Sequence, residues 1–251
     1  MKLSVAIITF NEEKNIERCL QSILPVADEI VVVDSLSTDD TEAICKKYNV
    51  RFVSEKFRGH IQQKNYAMEL TSHDYVLSLD ADEELSAELT KSILTIKAAG
   101  KRDAYKFNRL NNYCGTFIHH GGWYPDTKIR LWNKNKGKWG GENPHDQVIM
   151  TSGSSIEKLP GDLKHYTYRT LGDHLLQMNK FSDIAAIEAF KKNKKVNILL
   201  HLVLNPFFTF TKTYFLKAGF LDGVAGFQVA ISGAYYRYLK YAKLYQLHQN
   251  R

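Results

Sequence analysis

Polar and apolar positions alternate in two distinct rhythms along the first part of the chain. KLSVAIITF, EIVVVD, VRFVSEK and DYVLSLD are short β-rich stretches, apolar almost without interruption. Uninterrupted runs of this length predict strands covered on both faces. Between them, NEEKNIERCLQSILPVA carries Ile16, Leu20, Ile23 and Leu24 at helical spacing behind a group of acids. SLSTDDTEAICKKYN, IQQKNYAMELT and SAELTKSILTIKAAG also read as helices, the last ending at Gly100. This alternation predicts an α/β domain with a mainly parallel sheet, flanking helices and right-handed crossovers. After Gly100 the rhythm changes. DAYKFNRLNNYCGTFI and KIRLWNKNKGKWGGENPHDQVIM read as antiparallel strands with Gly and Asn turns, and a helix returns over about 171–191. The chain from about 196 to 247 is apolar, aromatic and basic together. The predicted organisation is an α/β domain over 1–190 and a C-terminal amphipathic helical segment over 191–251.

Ligands of such sheets bind beyond the carboxyl ends of the strands. Polar residues gather there: Thr9, Asn11 and Glu12 after the first strand, Asp34 after the second, Asp80 and Asp82 after the fourth. No Gly-x-Gly-x-x-Gly follows the first strand, which argues against the usual dinucleotide fingerprint. Two aspartates one residue apart can present oxygens to one Mg²⁺ or Mn²⁺, whose shell is often completed by substrate phosphates. Such an ion neutralises charge on a departing nucleotide. An isolated Asp-x-Asp is more often a solvated acidic turn. Here it ends a buried strand and shares its sheet edge with Asp34, which favours the cation. Glu83 and Glu84 are expected to be first-turn acids of the following helix.

Composition and charge add a second theme. The chain has 251 residues, 44% of them hydrophobic, and three widely spaced cysteines, Cys19, Cys45 and Cys114. Structural thiols in a reducing compartment are expected. MKLSVAIITFNEE has too short an apolar region for a secretory signal, so the chain is placed in the cytoplasm. The net charge of +7 is uneven: from Lys191 onward there are ten Lys/Arg and one acid, Asp222. Those bases interleave with Phe207, Phe208, Phe210, Tyr214, Phe215, Phe220 and further aromatics, among Leu, Val and Ile. The pattern predicts helices lying in a membrane interface, peripheral on the cytoplasmic face of the inner membrane. A helical subdomain packed on the core, or a dimer interface, is the alternative. A nucleic-acid reader is disfavoured, because its aromatics would stand on a polar sheet.

SVAIITFNEEKNIERCLQSI, EIVVVDSLSTDDTEAI, QQKNYAMEL and DYVLSLDADEEL resemble the successive motifs of glycosyltransferase family 2, in order and at natural spacing. That family has the GT-A fold and transfers sugars from nucleotide donors with inversion. GWYPDTKIRLW, GKWGGENPHDQV and the Gly-containing tail resemble the lipopolysaccharide core biosynthesis glycosyltransferases of the inner-core β-glucosyltransferase type. The resemblance implies that Thr9, Asn11 and Glu12 form the first nucleotide-contacting turn. It implies that Asp34 hydrogen-bonds the base, that Asp80 lies near ribose or metal, and that Asp82 is the metal ligand proper. Lys64 stands where the family often has a basic residue near the diphosphate; a solvated helix face is its alternative. The catalytic base is implied at Asp146 in Pro144-His145-Asp146, where the narrower group often reads His-Glu; Glu142 and Asp126 are rivals. His165 is a candidate further metal ligand.

Other residues carry weaker readings. Arg130 is a candidate diphosphate or acceptor contact, or else a surface salt bridge. Trp123 and Tyr124 stack on a sugar or pack in the core, and His119-His120 has a weak case for metal binding. The expected activity is transfer from UDP-glucose or a similar donor to a lipid-linked saccharide such as the lipopolysaccharide core, with Mg²⁺ or Mn²⁺. A polyprenyl-phosphate glycosyltransferase and a membrane scaffold with a degenerate site are the rivals.

Overall fold

The computed structural model describes residues 1–100, 102–142 and 145–249, with the side chains of Ala99, Glu142 and His145 left outside the description. The apolar runs become parallel strands β1 (Leu3–Thr9), β2 (Glu29–Asp34), β3 (Arg51–Ser54) and β4 (Tyr75–Asp80). They are joined through helices α1 (Ile16–Ile23), α2 (Thr41–Cys45) and α3 (His60–Glu69). A short β5 (Glu83–Leu85) and then α4 (Ala87–Ala99) follow. β6 (Ala104–Tyr113), β7 (Thr116–Phe117), β8 (Asp126–Asn133) and β11 (Ile156–Tyr168) complete a nine-stranded sheet in the described residues. Its order is β3-β2-β1-β4-β8-β6-β11-β5, with β7 beside β6. β9 (Gly137–Glu142) and β10 (His145–Met150) form a separate antiparallel pair.

The uninterrupted runs have the expected cause. Side chains alternate across a strand, so consecutive apolar residues feed two cores. Val5, Ile7, Val32, Leu77 and Leu79 join the α1 and α4 side with Leu20, Ile23 and Ile93. Ala6, Val31, Val33 and Val76 join the α3 side with Ala67, Met68, Trp132 and Trp139. Register then aligns the polar strand ends: Thr9 pairs with Asp34, Asp34 with Ser54, and Ile8 with Asp80.

Charge also ties β1 to its surroundings. Asp28, just before β2, accepts from the Leu3 N–H at 2.8 Å and from Lys97 Nζ at 2.7 Å. Burial works against its charge, but Lys97 and then the Leu3 amide outweigh this and bring its pKa down to about 2. A depressed carboxylate stabilises the fold above its unfolded pKa and loses that contribution as pH falls through the folded value. Asp28→Asn is therefore expected to cost about 1–2 kcal/mol at neutral pH. The gap from the parent should close between about pH 4 and pH 2, read by urea melts across that range.

The chain divides into two compact units. Unit one is Met1–Arg109 with Asp126–His165, and unit two is Leu110–Pro125 with Tyr166–Arg251. The division falls before α5 (Leu171–Lys191), whereas the sequence reading puts its boundary at 190. In unit two, Thr170 and Asp173 form a reciprocal capping box at the start of α5. The tail runs through a π-helical turn (Leu199–Leu204), α6 (Asn205–Thr211), a second π-helical turn (Lys212–Leu216) and a 3₁₀ turn (Gly219–Asp222) into α7 (Gly223–Gln249). α7 packs on α5 through Ala186, Ala189, Tyr241 and Leu244. Gly226 lets α7 approach the 3₁₀ turn, because a Cβ there would sit 1.8 Å from the Gly219 carbonyl oxygen.

Candidate active site

Every titratable candidate of the sheet edge lies in unit one. The loops after β1 and β2 are laced together by side chains. Asn11, with a left-handed backbone (φ 53°), accepts from the Thr38 N–H at 2.8 Å. Its own N–H donates to Ser37 Oγ at 2.7 Å. Ser37 in turn donates through its N–H (2.8 Å) and its hydroxyl to the two oxygens of Asp34, which is buried. Each carboxylate oxygen keeps a further lone pair for a ligand. Glu12 serves its own helix start: Oε2 accepts from Asn15 Nδ2 at 2.7 Å, and its N–H donates to Thr41 Oγ1 at 2.8 Å. Thr9 Oγ1 is buried at the end of β1 with no partner among the described residues.

Asp80, Lys64, Arg130 and Glu83 form a buried charge network. Lys64 Nζ lies 3.0 Å from Asp80 Oδ1 and 2.8 Å from Asp146 Oδ2, with its side chain 5% exposed. Its ammonium stands 4.4 Å from the Trp139 ring centroid, a cation–π contact at a desolvated site. Arg130 Nη2 lies 2.8 Å from Glu83 Oε1 and 3.4 Å from Asp80 Oδ2. Glu83 closes the loop by accepting the Asp80 N–H at 2.9 Å through Oε2. Burial alone would raise the Asp80 pKa, but Lys64 and then Arg130 overcome it and hold the carboxyl well below the usual range. Glu83 is pushed up instead, by its complete burial, against the pull of Arg130.

Asp82 and His165 make the other half of the edge. His165, on β11, places Nε2 3.2 Å from Asp82 Oδ2. Burial would lower the imidazole pKa, and the Asp82 carboxylate reverses this, leaving it raised. Once the proton between them is given up, the Asp82 carboxylate and the neutral His165 imidazole would offer one oxygen and one nitrogen to a divalent ion. Mg²⁺ characteristically takes only one or two protein ligands and fills its shell with substrate phosphate and water. The donor chemistry therefore fits. Among the described residues no cluster of three His, Cys, Asp or Glu donors forms. The Asp80 carboxylate faces Lys64 and Arg130, so it is a metal candidate already engaged by two cations.

Several expectations change. Lys64 is not on a solvated helix face, because α3 buries Gln63, Lys64, Ala67 and Met68 together. Arg130 is not a surface salt bridge; it is buried behind the aspartates, and its Nε and Nη1 find no partner among the described residues. Glu83 is not a helix-start acid. It lies in β5 with 1% exposure, and Ser86 caps α4, its Oγ accepting from the Leu89 N–H. Glu84 lies in β5 as well; Glu83 and Leu85 are buried while Glu84 is not, the period of a strand.

The rival bases separate. Asp126 is bound to Arg109 at 2.8 Å and Lys128 at 3.1 Å. Its pKa is lowered because Arg109 outweighs burial. Asp146 instead shares Lys64 with Asp80. Pro144 and the Glu142 side chain lie outside the described residues. In unit two, Trp123 packs edge-on against Tyr113 and His174 in a small core, and Tyr124 meets the His119 ring. His120 pairs through Nδ1 with Asp222 at 2.8 Å.

Comparison with known proteins gives the family. The model of the family described as "Glycosyl transferase family 2" matches residues 4–158. An uncharacterised glycosyltransferase of Rickettsia typhi is 32% identical, covering 98% of this chain and 87% of its own length. The lipopolysaccharide core biosynthesis glycosyltransferase LpsC of Rhizobium meliloti is 30% identical, covering 99% of this chain and 93% of its own. A crystal structure of S. aureus TarS 1–349 in complex with UDP-GlcNAc aligns with 100% of this chain and 93% of that one, at 16% identity and a TM-score of 0.49.

Proposed function

The chain belongs to glycosyl transferase family 2 and has the GT-A fold, and we propose that it moves a sugar, with inversion, from a nucleotide-diphosphate donor such as UDP-glucose to a lipid-linked saccharide of the lipopolysaccharide-core type. The observation that carries this reading is the Lys64 ammonium held between Asp80 and Asp146. It joins a candidate base to the Asp-x-Asp edge.

In this reading Asp34 accepts from the base of the donor nucleotide, and Asn11 and Glu12 shape the turn beside it. Asp82 and His165 would hold a divalent cation, which would supply charge neutralisation to the leaving diphosphate. Asp80 stays ionised against Lys64 and Arg130 and keeps both cations in place. Asp146 accepts the proton of the acceptor hydroxyl as that oxygen bonds to the anomeric carbon. The carbon–diphosphate bond breaks on the opposite face, so configuration inverts. Arg130, buried against Asp80 and Glu83, acts through the carboxylates.

The name of the Rhizobium meliloti relative supports a saccharide of the lipopolysaccharide core as acceptor. The exposed apolar residues of unit two support delivery at a membrane surface. Leu199, Phe207, Phe208, Leu216, Leu221 and Val224 are 59–79% exposed, and Lys212 and Lys217 stand among them. No described helix is long and apolar enough to cross a membrane, which suits helices lying in the interface. The test is a transfer assay with UDP-glucose, Mn²⁺ and a lipid-linked core oligosaccharide in vesicles. A β-linked product, formed faster on anionic than on zwitterionic vesicles, is the expected result. An α-linked product would rule out inversion, and equal rates on both vesicles would rule out the anionic-surface role.

A further inference from the structure

The β9–β10 pair is gripped at Trp139 by a side chain that carries no charge. Asn65, next to Lys64 on α3, donates from Nδ2 to the Trp139 carbonyl at 2.9 Å and accepts the Trp139 N–H through Oδ1 at 3.0 Å. Among the described residues β9 and β10 form a two-stranded sheet, so the far edge of β9 would otherwise present these main-chain groups unpaired. The amide of Asn65 supplies the donor and acceptor that a third strand would have offered.

This grip sets register as well as position. Trp139 lies opposite Val148, and Gly141 opposite Asp146. Val148 and Asp146 are two residues apart and so share a face of β10. A slip of one residue would turn Asp146 to the opposite face and away from Lys64. The Trp139 side chain locks the same point from within: its Nε1 donates to Ser78 Oγ on β4 at 3.1 Å, and its ring meets Trp132 at 5.9 Å. Ser78 is two residues before Asp80 on that strand. The hairpin is thus referenced both to α3 and to the strand that ends in the aspartate pair.

We propose that Asn65 is a positioning residue for sugar transfer, holding the β9 main chain so that Asp146 meets the acceptor hydroxyl at the aspartate edge. The inference rests on the reading of Asp146 as the base. A misplacement of about 1 Å costs about a hundredfold in rate. Asn65→Ala should therefore lower kcat for transfer by about ten- to a hundredfold, with the donor KM changed by less than about twofold. Asn65→Asp keeps the acceptor for the Trp139 N–H and loses the donor, and should fall between Ala and the parent.

The deciding experiment is a double-mutant cycle with Asp146→Asn, assayed at a temperature where melts show all variants folded. If Asn65 works through Asp146, adding Asn65→Ala to Asp146→Asn lowers kcat no further. An equal loss in both backgrounds overturns the positioning role while leaving Asp146 as the base. Full activity of Asp146→Asn alone overturns the base and the inference that rests on it. Unchanged kcat in Asn65→Ala overturns the inference alone.

Discussion

Replacing Asp146 by Asn is expected to lower kcat for sugar transfer by about a hundred- to ten-thousandfold, the range general-base catalysis contributes. The substitution is nearly isosteric, so it keeps volume while removing the capacity to take a proton and the charge that faces Lys64 at 2.8 Å. Donor binding should change little, because the proposed donor contacts lie at the ends of β1, β2 and β4 and, through His165, on β11. kcat should therefore fall while the donor KM holds. The result also separates acceptor classes. A polyprenyl phosphate is already an anion and needs little help in losing a proton, so with such an acceptor Asp146→Asn would barely slow turnover. A large loss points to a hydroxyl acceptor.

Arg130→Met is expected to be the most destabilising of these substitutions. Arg130 and Glu83 are both nearly fully buried, and their ion pair is 2.8 Å long. Removing one partner of such a pair leaves an uncompensated buried charge and costs about 3–5 kcal/mol. In a chain of this length about 1 kcal/mol corresponds to about 2–4 °C in Tm, so the melting temperature should drop by about 10 °C. Removing both partners behaves differently, because apolar residues of similar volume can replace a buried pair at little cost. Glu83→Leu combined with Arg130→Met should therefore recover much of the loss. A double variant as unstable as Arg130→Met alone would mean that the Asp80 contact, not the Glu83 pair, needs the arginine.

The frame of the molecule was legible because one physical cause writes both pattern and structure. β1, β2 and β4 bury both faces, and so they read as continuous apolar runs ending where the carboxylates begin. The same cause made Asp34, Asp80 and Asp82 visible as residues of one edge. The ion network was not legible. Lys64 and Arg130 are ordinary surface residues by composition, and only α3 and β8 packing on that edge buries them. Glu83 was misread because an acid just before a helix is usually a cap, and no local signal reports that Arg130, 47 residues later, will face it. Asn65 gave no signal either, since its partners are main-chain atoms of Trp139. In the tail, the helical reading of the sequence holds, but π-helical turns at Leu199–Leu204 and Lys212–Leu216 have no side-chain period to announce them.

The central claim is that Asp82 and His165 hold a divalent ion against a nucleotide diphosphate. Thermal melts of the parent and of Asp82→Ala, each with uridine diphosphate and with or without Mn²⁺, test it most directly. At about 100 times its Kd a ligand adds about 2.7 kcal/mol to folding stability. The parent should show a stabilisation by uridine diphosphate that depends on Mn²⁺, and Asp82→Ala should lose the Mn²⁺-dependent part. An Mn²⁺-dependent stabilisation that survives in Asp82→Ala would contradict the account.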